Sequence, residues 1–169
     1  MTELLELYDA PGHLIRRLQQ IAVALFMAET RRFDITPVQY AALFSIRAKP
    51  GLDQITLANV IALDRSTVAN VVERLEGKKL ITRKAGASDR RTKRLYITPA
   101  GRALLAGAVP AVQSVQEKIL APLKPGERAG FMAMLQRMVD INNSHSRAPL
   151  RLNGEEPARR GEESARKAP

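Results

Sequence analysis

The chain contains no cysteine among its 169 residues and only two histidines, His13 and His145. The absence of cysteine excludes disulfide bonds, cysteine-ligated zinc and thiol-based redox sensing. The two histidines lie near opposite ends of the chain and have no carboxylates at metal-ligand spacing. A glycine-rich phosphate-binding loop is also missing. These absences predict a protein that is not an enzyme and that holds no metal or cofactor.

Long apolar segments are missing as well. The longest strictly apolar run, Ile21–Ala28, is far shorter than the roughly 20 residues that a membrane-spanning helix needs. The first six residues carry two glutamates and no basic residue, whereas a secretory signal would begin with positive charge. We therefore expect a cytoplasmic protein without a membrane partner.

Acidic residues are scarce relative to basic ones, which gives the chain a formal net charge of +10. The excess is concentrated in residues 65–94, where ten basic residues face three acidic ones, a difference of +7. Such a surplus favours an anionic partner, either nucleic acid or an acidic membrane surface. Because the basic cluster falls on a predicted turn and hairpin rather than on an amphipathic helix, nucleic acid is the favoured partner.

Apolar periodicity and capping residues predict six helices. Their predicted ranges are 9–33, 37–48, 57–61, 65–78, 99–120 and 125–144. The residues expected to cap the first five are Asp9, Thr36, Thr56, Asp64 and Thr98. The third and fourth helices are joined by so short a connector that they indicate a helix-turn-helix.

A β-hairpin with a long basic tip is predicted directly after the helix-turn-helix. Residues 80–83 and 93–98 are β-prone, and the polar segment 85–92 between them contains glycine and serine. A hairpin in this position is a wing. The predicted fold class is therefore mainly α with a small β-wing, a winged helix-turn-helix. Residues 148–169 have too few large apolar residues to offset ordering entropy, so we expect a disordered tail.

The predicted helix 65–78 has one apolar face and one face suited to DNA. The apolar face consists of Val68, Val71, Val72 and Leu75. The polar side includes Ser66, Thr67, Asn70 and Arg74. Short hydrogen-bonding side chains can reach base edges or phosphates in a major groove. A solvated polar face would have the same composition, but the adjoining short helix and the basic hairpin favour DNA.

The hairpin tip Asp89–Arg91 suits a narrow minor groove, where negative potential attracts arginine. An ordinary charged surface turn is the alternative interpretation of this tip. Asp89 is expected to brace the loop through a salt bridge. Thr36, Arg90 and Lys93 complete the predicted set of DNA-binding residues.

Five short runs of the sequence together resemble the MarR family of bacterial transcriptional regulators, over about residues 12–143. These runs are Leu63–Val68, Leu75–Glu76, Leu80–Ile81, Asp89–Arg91 and Ile97–Gly101. The resemblance implies an obligate homodimer of winged-helix subunits that works in the cytoplasm in association with the nucleoid. Residues 1–35 and 99–147 would form the dimerisation helices, and residues 36–98 the DNA-binding domain.

The resemblance also implies roles for individual residues. In the major groove the implied contacts are Ser66, Thr67, Asn70 and Arg74. Arg91 would enter the minor groove, and Asp89 would brace the wing with Arg65 as its partner. Many members carry arginine at the position of Asn70. Because asparagine pairs with adenine and arginine with guanine, the operator of such relatives cannot be transferred to this chain.

The family resemblance implies release from a pseudo-palindromic operator when a small aromatic acid binds, and the pattern is most similar to members that control catabolism of benzoate, hydroxycinnamate or nicotinate derivatives. The residues of this chain expected to bind such an effector are His13, Arg16, Arg17, Tyr40 and Arg47. Arginine forks suit a carboxylate, although Arg16 and Arg17 could instead serve surface pairing, and His13 could be a capping or surface histidine. An architectural, sequence-indifferent DNA-binding protein without an effector is the alternative function.

Overall fold

The structure, a computed structural model, describes residues 2–86 and 92–152. Within them the chain forms seven α-helices and one antiparallel pair of strands. The helices are α1 (Thr2–Asp9), α2 (Pro11–Glu29), α3 (Pro37–Ala48), α4 (Gln54–Val60), α5 (Arg65–Gly77), α6 (Pro99–Leu120) and α7 (Pro125–Asn142). The strands are β1 (Ile81–Ala85) and β2 (Lys93–Ile97), and short 3-10 turns cover Arg31–Phe33 and Asn143–His145. The predicted fold class, mainly α with a small β-wing, is confirmed.

The main core lies between α3, α4, α5 and the two strands. Leu43, Leu57, Leu75 and Leu95, each from a different element, are fully buried there. Removing each such side chain from water contributes about 1.5–3 kcal/mol. The predicted apolar face of α5 also points into this core, since Val68, Val71, Val72 and Leu75 are all buried. The opposite face of α5 is consequently directed outward.

The helix-turn-helix is formed by α4 and α5, which meet at an angle of 111°. The turn between them requires a left-handed residue, Ala62, with φ of 52°. The prediction that Thr56 caps α4 is wrong. The Asp53 carboxylate accepts from the Thr56 backbone N–H at 2.8 Å, so the helix begins at Gln54 and Thr56 lies inside its first turn.

The two strands pair antiparallel, with Ile81 opposite Ile97. Residues 51–53 lie along the other edge of β2, where Asp53 forms an isolated β-bridge with Arg94. The backbone of Leu95 exchanges hydrogen bonds with Gly51 and Leu52, both with N–O distances of 2.9 Å. Both edges of β2 are therefore bonded near its centre, which fixes the base of the hairpin to the helical core.

The N-terminal helix is divided, contrary to the prediction of one helix over 9–33. Asp9 is the last residue of α1 rather than a cap, and α2 begins at Pro11 without a side-chain cap on Ala10. Pro11 lacks the N–H that a continuing helix would need, and the residue before a proline is pushed toward extended backbone. α2 packs on α6 around a second small core of Phe26, Ile35, Ala108 and Val115.

The start of α6 contacts the base of the hairpin directly. Thr98 caps α6, as predicted, with its Oγ1 accepting from the Gly101 N–H at 3.1 Å. The same hydroxyl lies within 2.8 Å of the Lys79 carbonyl and 3.0 Å of the Leu80 carbonyl. A Cβ at Gly101 would overlap the Leu80 carbonyl oxygen, so only glycine permits this approach.

Helix α7 has no buried residue. After it, residues 146–152, here named the strap, turn back toward the helix-turn-helix, where the Arg151 N–H donates to the Asn59 carbonyl at 3.0 Å. The strap includes the start of the predicted disordered tail, 148–169. Residues 148–152 thus make defined contacts, whereas 153–169 lie outside the described residues, and their disorder stays a prediction.

In the part of the chain that the structure describes, no single helix has the length and apolarity to cross a membrane. The bent pair of α4 and α5 meets that criterion only when the two helices are taken together.

Candidate nucleic-acid interface

The outward face of α5 presents a row of three polar side chains. Ser66, Asn70 and Arg74 are all exposed and recur at intervals of four residues, so they lie one above the other along the helix. Thr67, the fourth predicted contact on this helix, is half-buried beside them. The structure therefore brings the predicted recognition-helix residues onto one continuous surface, with the core holding the other side of the helix in place.

Asp64 organises the N-terminal end of this row. Its carboxylate accepts from the Thr67 N–H at 2.9 Å and from the hydroxyls of Ser66 and Thr67 at 2.5 and 2.8 Å. The hydrogen bond from Ser66, followed by those from Thr67, holds the pKa of Asp64 far below its ordinary value. Asp64 therefore caps α5 as predicted, stays ionised, and fixes the orientation of two predicted DNA contacts.

A third residue, and the first that carries a positive charge, reaches this carboxylate from the far end of the chain. Arg147, in the strap, donates through Nη2 to Asp64 Oδ2 at 3.3 Å, and its side chain is 88% exposed. Arg147 is not among the residues predicted from the sequence, because it lies 83 positions from Asp64 and no local pattern predicts such a contact.

Two ion pairs fasten the hairpin to the helix-turn-helix. Arg83 of β1 pairs with Glu76 of α5, and this hydrogen bond lowers the pKa of Glu76 and raises that of Arg83. Arg94 of β2 lies 3.8 Å from the Asp53 carboxylate, which also caps α4. The strands thus carry cations that position them relative to both helices of the motif.

The other predicted residues of the interface differ in their exposure. Lys93, a predicted DNA contact, is exposed at the start of β2. Arg65, predicted as the partner of Asp89, is exposed at the start of α5, so both cations are available to an anionic partner. Thr36 is a helix cap: its side chain accepts from the Gln39 N–H at 3.3 Å, and Gln39 Oε1 accepts from the Thr36 N–H at 3.2 Å. Asp89, Arg90 and Arg91 lie outside the described residues, and so does the predicted pairing of Asp89 with Arg65.

An apolar groove of about 670 Å³ separates the helix-turn-helix from α7. Its walls come from α3, the α4–α5 turn, α7 and the strap, and include Tyr40, Phe44, Ile61, Val139 and Leu150. This volume lies within the usual range for small-molecule sites. The Arg47 guanidinium stacks over the Phe44 ring, 4.9 Å from its centroid, and so places a cation near the groove.

The five predicted effector residues are not brought together within one chain. Tyr40 contacts Phe26 near the end of α2, with ring centroids 6.0 Å apart. His13 lies in the first turn of the same helix, about 20 Å away along its axis, and Arg16 and Arg17 follow it. Within the described ranges, the buried Nε2 of His13 has no hydrogen-bond partner. Tyr40 and Arg47 on α3 therefore form one group, and the three α2 residues form another.

A metal site requires several histidine, cysteine or acidic side chains close together. Across residues 2–86 and 92–152, no cluster of three histidine, cysteine or acidic side chains could hold a metal ion.

Comparison with known proteins agrees with this geometry. The MarR family profile matches residues 35–93. The HTH-type transcriptional repressor NicR of Pseudomonas putida is 30% identical over 133 residues, which cover 79% of this chain and 84% of NicR. Among solved structures, Bordetella bronchiseptica BpsR is 31% identical with a TM-score of 0.74, over 79% of this chain and 95% of that one. That structure concerns regulation of BpsR DNA binding by 6-hydroxynicotinic acid.

A further solved structure is that of the transcriptional repressor CouR bound to a 23-mer DNA duplex. CouR is 28% identical to this chain with a TM-score of 0.73, over 79% of this chain and 95% of CouR. These relatives are transcriptional regulators rather than enzymes. The winged helix-turn-helix, the polar row on α5 and these similarities lead to one conclusion: the chain belongs to the MarR family of DNA-binding transcription regulators.

Proposed function

We propose that this protein is a homodimeric repressor that binds a pseudo-palindromic operator and leaves it when a small aromatic carboxylate binds. Residues 36–98 read the DNA, and residues 1–35 and 99–147 provide the helices through which two copies associate. Ser66, Thr67, Asn70 and Arg74 contact the major groove. Arg91 contacts the minor groove, and Lys93 with Arg65 adds positive charge beside it.

The observation that carries this proposal is the exposed row of Ser66, Asn70 and Arg74 on a helix whose other face is buried. A helix anchored in this way can insert rigidly into a groove without losing its internal packing. The basic residues of the hairpin lie at the end of the same module. CouR, with a similar fold, is bound to a DNA duplex in its solved structure, which supports the same use here.

The exposed apolar faces of the flanking helices support self-association. Leu14, Leu18 and Ile21 on α2 are between 38% and 50% exposed, and Met138 and Ile141 on α7 are more exposed still on average. Contiguous apolar surface of this kind is costly in water, and a second copy offers the same surface for mutual burial. A twofold pair would place two recognition helices about 34 Å apart, one turn of duplex.

The groove beside Tyr40 and Phe44 is the proposed effector site. Its aromatic walls suit a flat ring, and the Arg47 guanidinium over Phe44 offers a fork for a carboxylate. The partner's copies of His13, Arg16 and Arg17 would complete the site if the dimer brings α2 across the groove. BpsR, whose DNA binding is regulated by 6-hydroxynicotinic acid, supports an effector of this chemical class.

Selection of bound sequences from random duplexes tests the DNA half of the proposal. We expect a two-fold symmetric consensus that the protein still binds in the presence of excess random DNA at physiological salt. Asn70→Ala should cost about 1–3 kcal/mol of binding and relax the preference at one base pair in each half-site. Equal affinity for the selected site and a scrambled one would instead identify an architectural DNA-binding protein.

Titration of aromatic acids into the operator complex tests the effector half. An acid can release DNA only if it binds the free form more tightly than the DNA-bound form. We expect nicotinate, benzoate or hydroxycinnamate derivatives to weaken the complex, and Arg47→Gln to reduce that response while leaving operator affinity unchanged. If no acid in the panel weakens the complex, the effector half is wrong and the DNA half is untouched.

A further inference from the structure

The strap brings an exposed arginine to the end of α5 that carries Ser66 and Thr67. Arg147 lies 3.3 Å from the Asp64 carboxylate, and that carboxylate accepts hydrogen bonds from both hydroxyls. Arg147 therefore lies within one side-chain length of two proposed major-groove contacts. Arg147 follows α7, which the resemblance assigns to dimerisation, so its place beside the recognition helix is a property of this chain's own C-terminal segment.

The backbone that carries Arg147 is held on both sides. Before it, Asn143 forms two hydrogen bonds with Leu150, through Nδ2 at 3.0 Å and Oδ1 at 2.8 Å, which close the strap into a loop. After it, the Arg151 N–H donates to the Asn59 carbonyl of α4 at 3.0 Å. Leu150 adds an apolar anchor by lining the groove. The strap is thus fastened to the helix-turn-helix by its backbone, and its arginine does not depend on the Asp64 contact alone for its position.

The guanidinium keeps most of its hydrogen-bonding capacity for another anion. Arginine has five N–H donors, and its contact with Asp64 uses Nη2 alone. The side chain is 88% exposed. Asp64 stays ionised, as its low pKa indicates. Without Arg147, its negative charge would face the DNA backbone that approaches this end of α5 under the proposed function. A cation at this place offsets that charge and can itself bind a phosphate oxygen.

We infer that the strap is an accessory DNA-binding element and that Arg147 binds a backbone phosphate next to the N-terminal end of the recognition helix. The inference rests on the proposed function, because it takes α5 as the helix that enters the major groove. It adds one phosphate contact per subunit to those expected from α5 and the hairpin. Phosphate contacts fix the orientation of a protein on DNA and carry no base preference of their own.

The test compares operator affinity over a range of salt concentrations for Arg147→Ala, Arg147→Lys and the full-length parent. Each phosphate contact contributes about 0.9 to the slope of log affinity against log salt, so the dimeric Arg147→Ala protein should lose about 2 units of slope. We expect roughly tenfold weaker binding at moderate salt, an unchanged base preference and an unchanged melting temperature. Arg147→Lys, which keeps the positive charge, should retain most of the slope.

Lys124→Ala is the matched control, because it also removes one exposed cation. Lys124 precedes α7 whereas Arg147 follows it, so about 27 Å of helix separates the two positions. The control should keep the parental slope. A chain ending at residue 145 should behave like Arg147→Ala, and a chain ending at residue 152 should bind with the parental salt slope.

Three results would overturn the inference. The first is an unchanged salt slope in Arg147→Ala, even with weaker binding, because that would mean that the arginine only braces Asp64. The second is an equal loss of slope in Lys124→Ala, which would indicate a general effect of net charge. The third is a parent protein that binds no selected operator, which would defeat the proposed function and this inference together; in the first two cases the proposed function stands.

Discussion

Apolar side chains are buried in residues 36–98, here called the module, and exposed on helix α7. In the module, Leu43, Leu57 and Leu75 are wholly removed from water. On α7, Met134, Met138 and Ile141 are between 47% and 71% exposed, and no residue of the helix is buried. The core of residues 36–98 is thus closed, with Leu105 of α6 completing it, whereas α7 carries apolar surface that the described residues 2–86 and 92–152 leave uncovered.

This difference in exposure implies that contacts within one chain stabilise the module, whereas association with a second copy would stabilise α7. Residues 36–98 should stay folded at any protein concentration, because the contacts of their core lie within one chain. The stabilisation of α7 should depend on concentration, because under the proposed function a second copy covers it.

The same substitution in the two regions gives the most direct contrast. Leu43→Ala should lower the free energy of unfolding by about 2–5 kcal/mol at every protein concentration, because it leaves a cavity in a closed core. Leu135→Ala on α7, where the leucine is 37% exposed, should cost much less in dilute protein and more as concentration rises. Urea unfolding at two concentrations a hundredfold apart measures both. Equal, concentration-independent losses would remove the distinction between the regions.

A charge on the apolar face of α7 should separate the proposed dimer without unfolding the module. Met138→Glu is expected to weaken self-association by about tenfold or more, equivalent to about 1.4 kcal/mol, as measured by analytical ultracentrifugation. Gln136→Glu adds the same charge about 200° around the helix and serves as the control. Self-association that resists Met138→Glu would place the dimer contact elsewhere.

The junction between the module and α6, the helix that leads on to α7, depends on Thr98, which caps α6 and contacts the carbonyls of Lys79 and Leu80. Thr98→Ala should cost about 1 kcal/mol of stability, since it removes a cap. Thr98→Ser keeps the hydroxyl and should recover most of the loss. Thermal unfolding of the three proteins, combined with hydrogen exchange at the Gly101 amide, would show whether the effect arises at this cap; identical curves for Ala and Ser would exclude it.

The smallest expected effect is on the pH dependence of stability through Glu29. Glu29 of α2 has a lowered pKa because Lys118 and then Ser114 of α6 donate hydrogen bonds to it. Its contribution to stability is complete above the ordinary pKa of 4.5 and is lost as pH falls through the lower folded value. Glu29→Gln should therefore be slightly less stable than the parent at pH 7, with the difference vanishing at low pH. A difference that grows on acidification would contradict this assignment.

Local patterns in the sequence were sufficient to predict three of the helix caps. Thr36, Asp64 and Thr98 cap the helices predicted for them, because a short polar side chain next to the first turn needs only local geometry to reach an N–H. Thr56 was a wrong prediction for the same reason: Asp53 satisfies that rule three residues earlier, and it is also held beside β2 by its contact with Arg94.

Contacts between distant residues could not be predicted in this way. The division of the N-terminal helix at Ala10 was missed because Asp9 has the composition of a cap and only the backbone shows that it ends α1. Arg147 was missed because its partner is set by the path of the chain after α7. Whether the α2 residues His13, Arg16 and Arg17 meet Tyr40 and Arg47 depends on a second chain, which no pattern in one sequence specifies.

At Gly101, the backbone at the start of α6 lies so close to the Leu80 carbonyl, just before the hairpin, that no side-chain atom would fit between them. Because tightly packed interiors transmit strain rather than absorb it, this contact couples the start of α6 to the base of the hairpin. Under the proposed function, a rotation of α6 would therefore move the hairpin with it. The spacing of the two recognition helices in a dimer would then change whenever the dimerisation helices move.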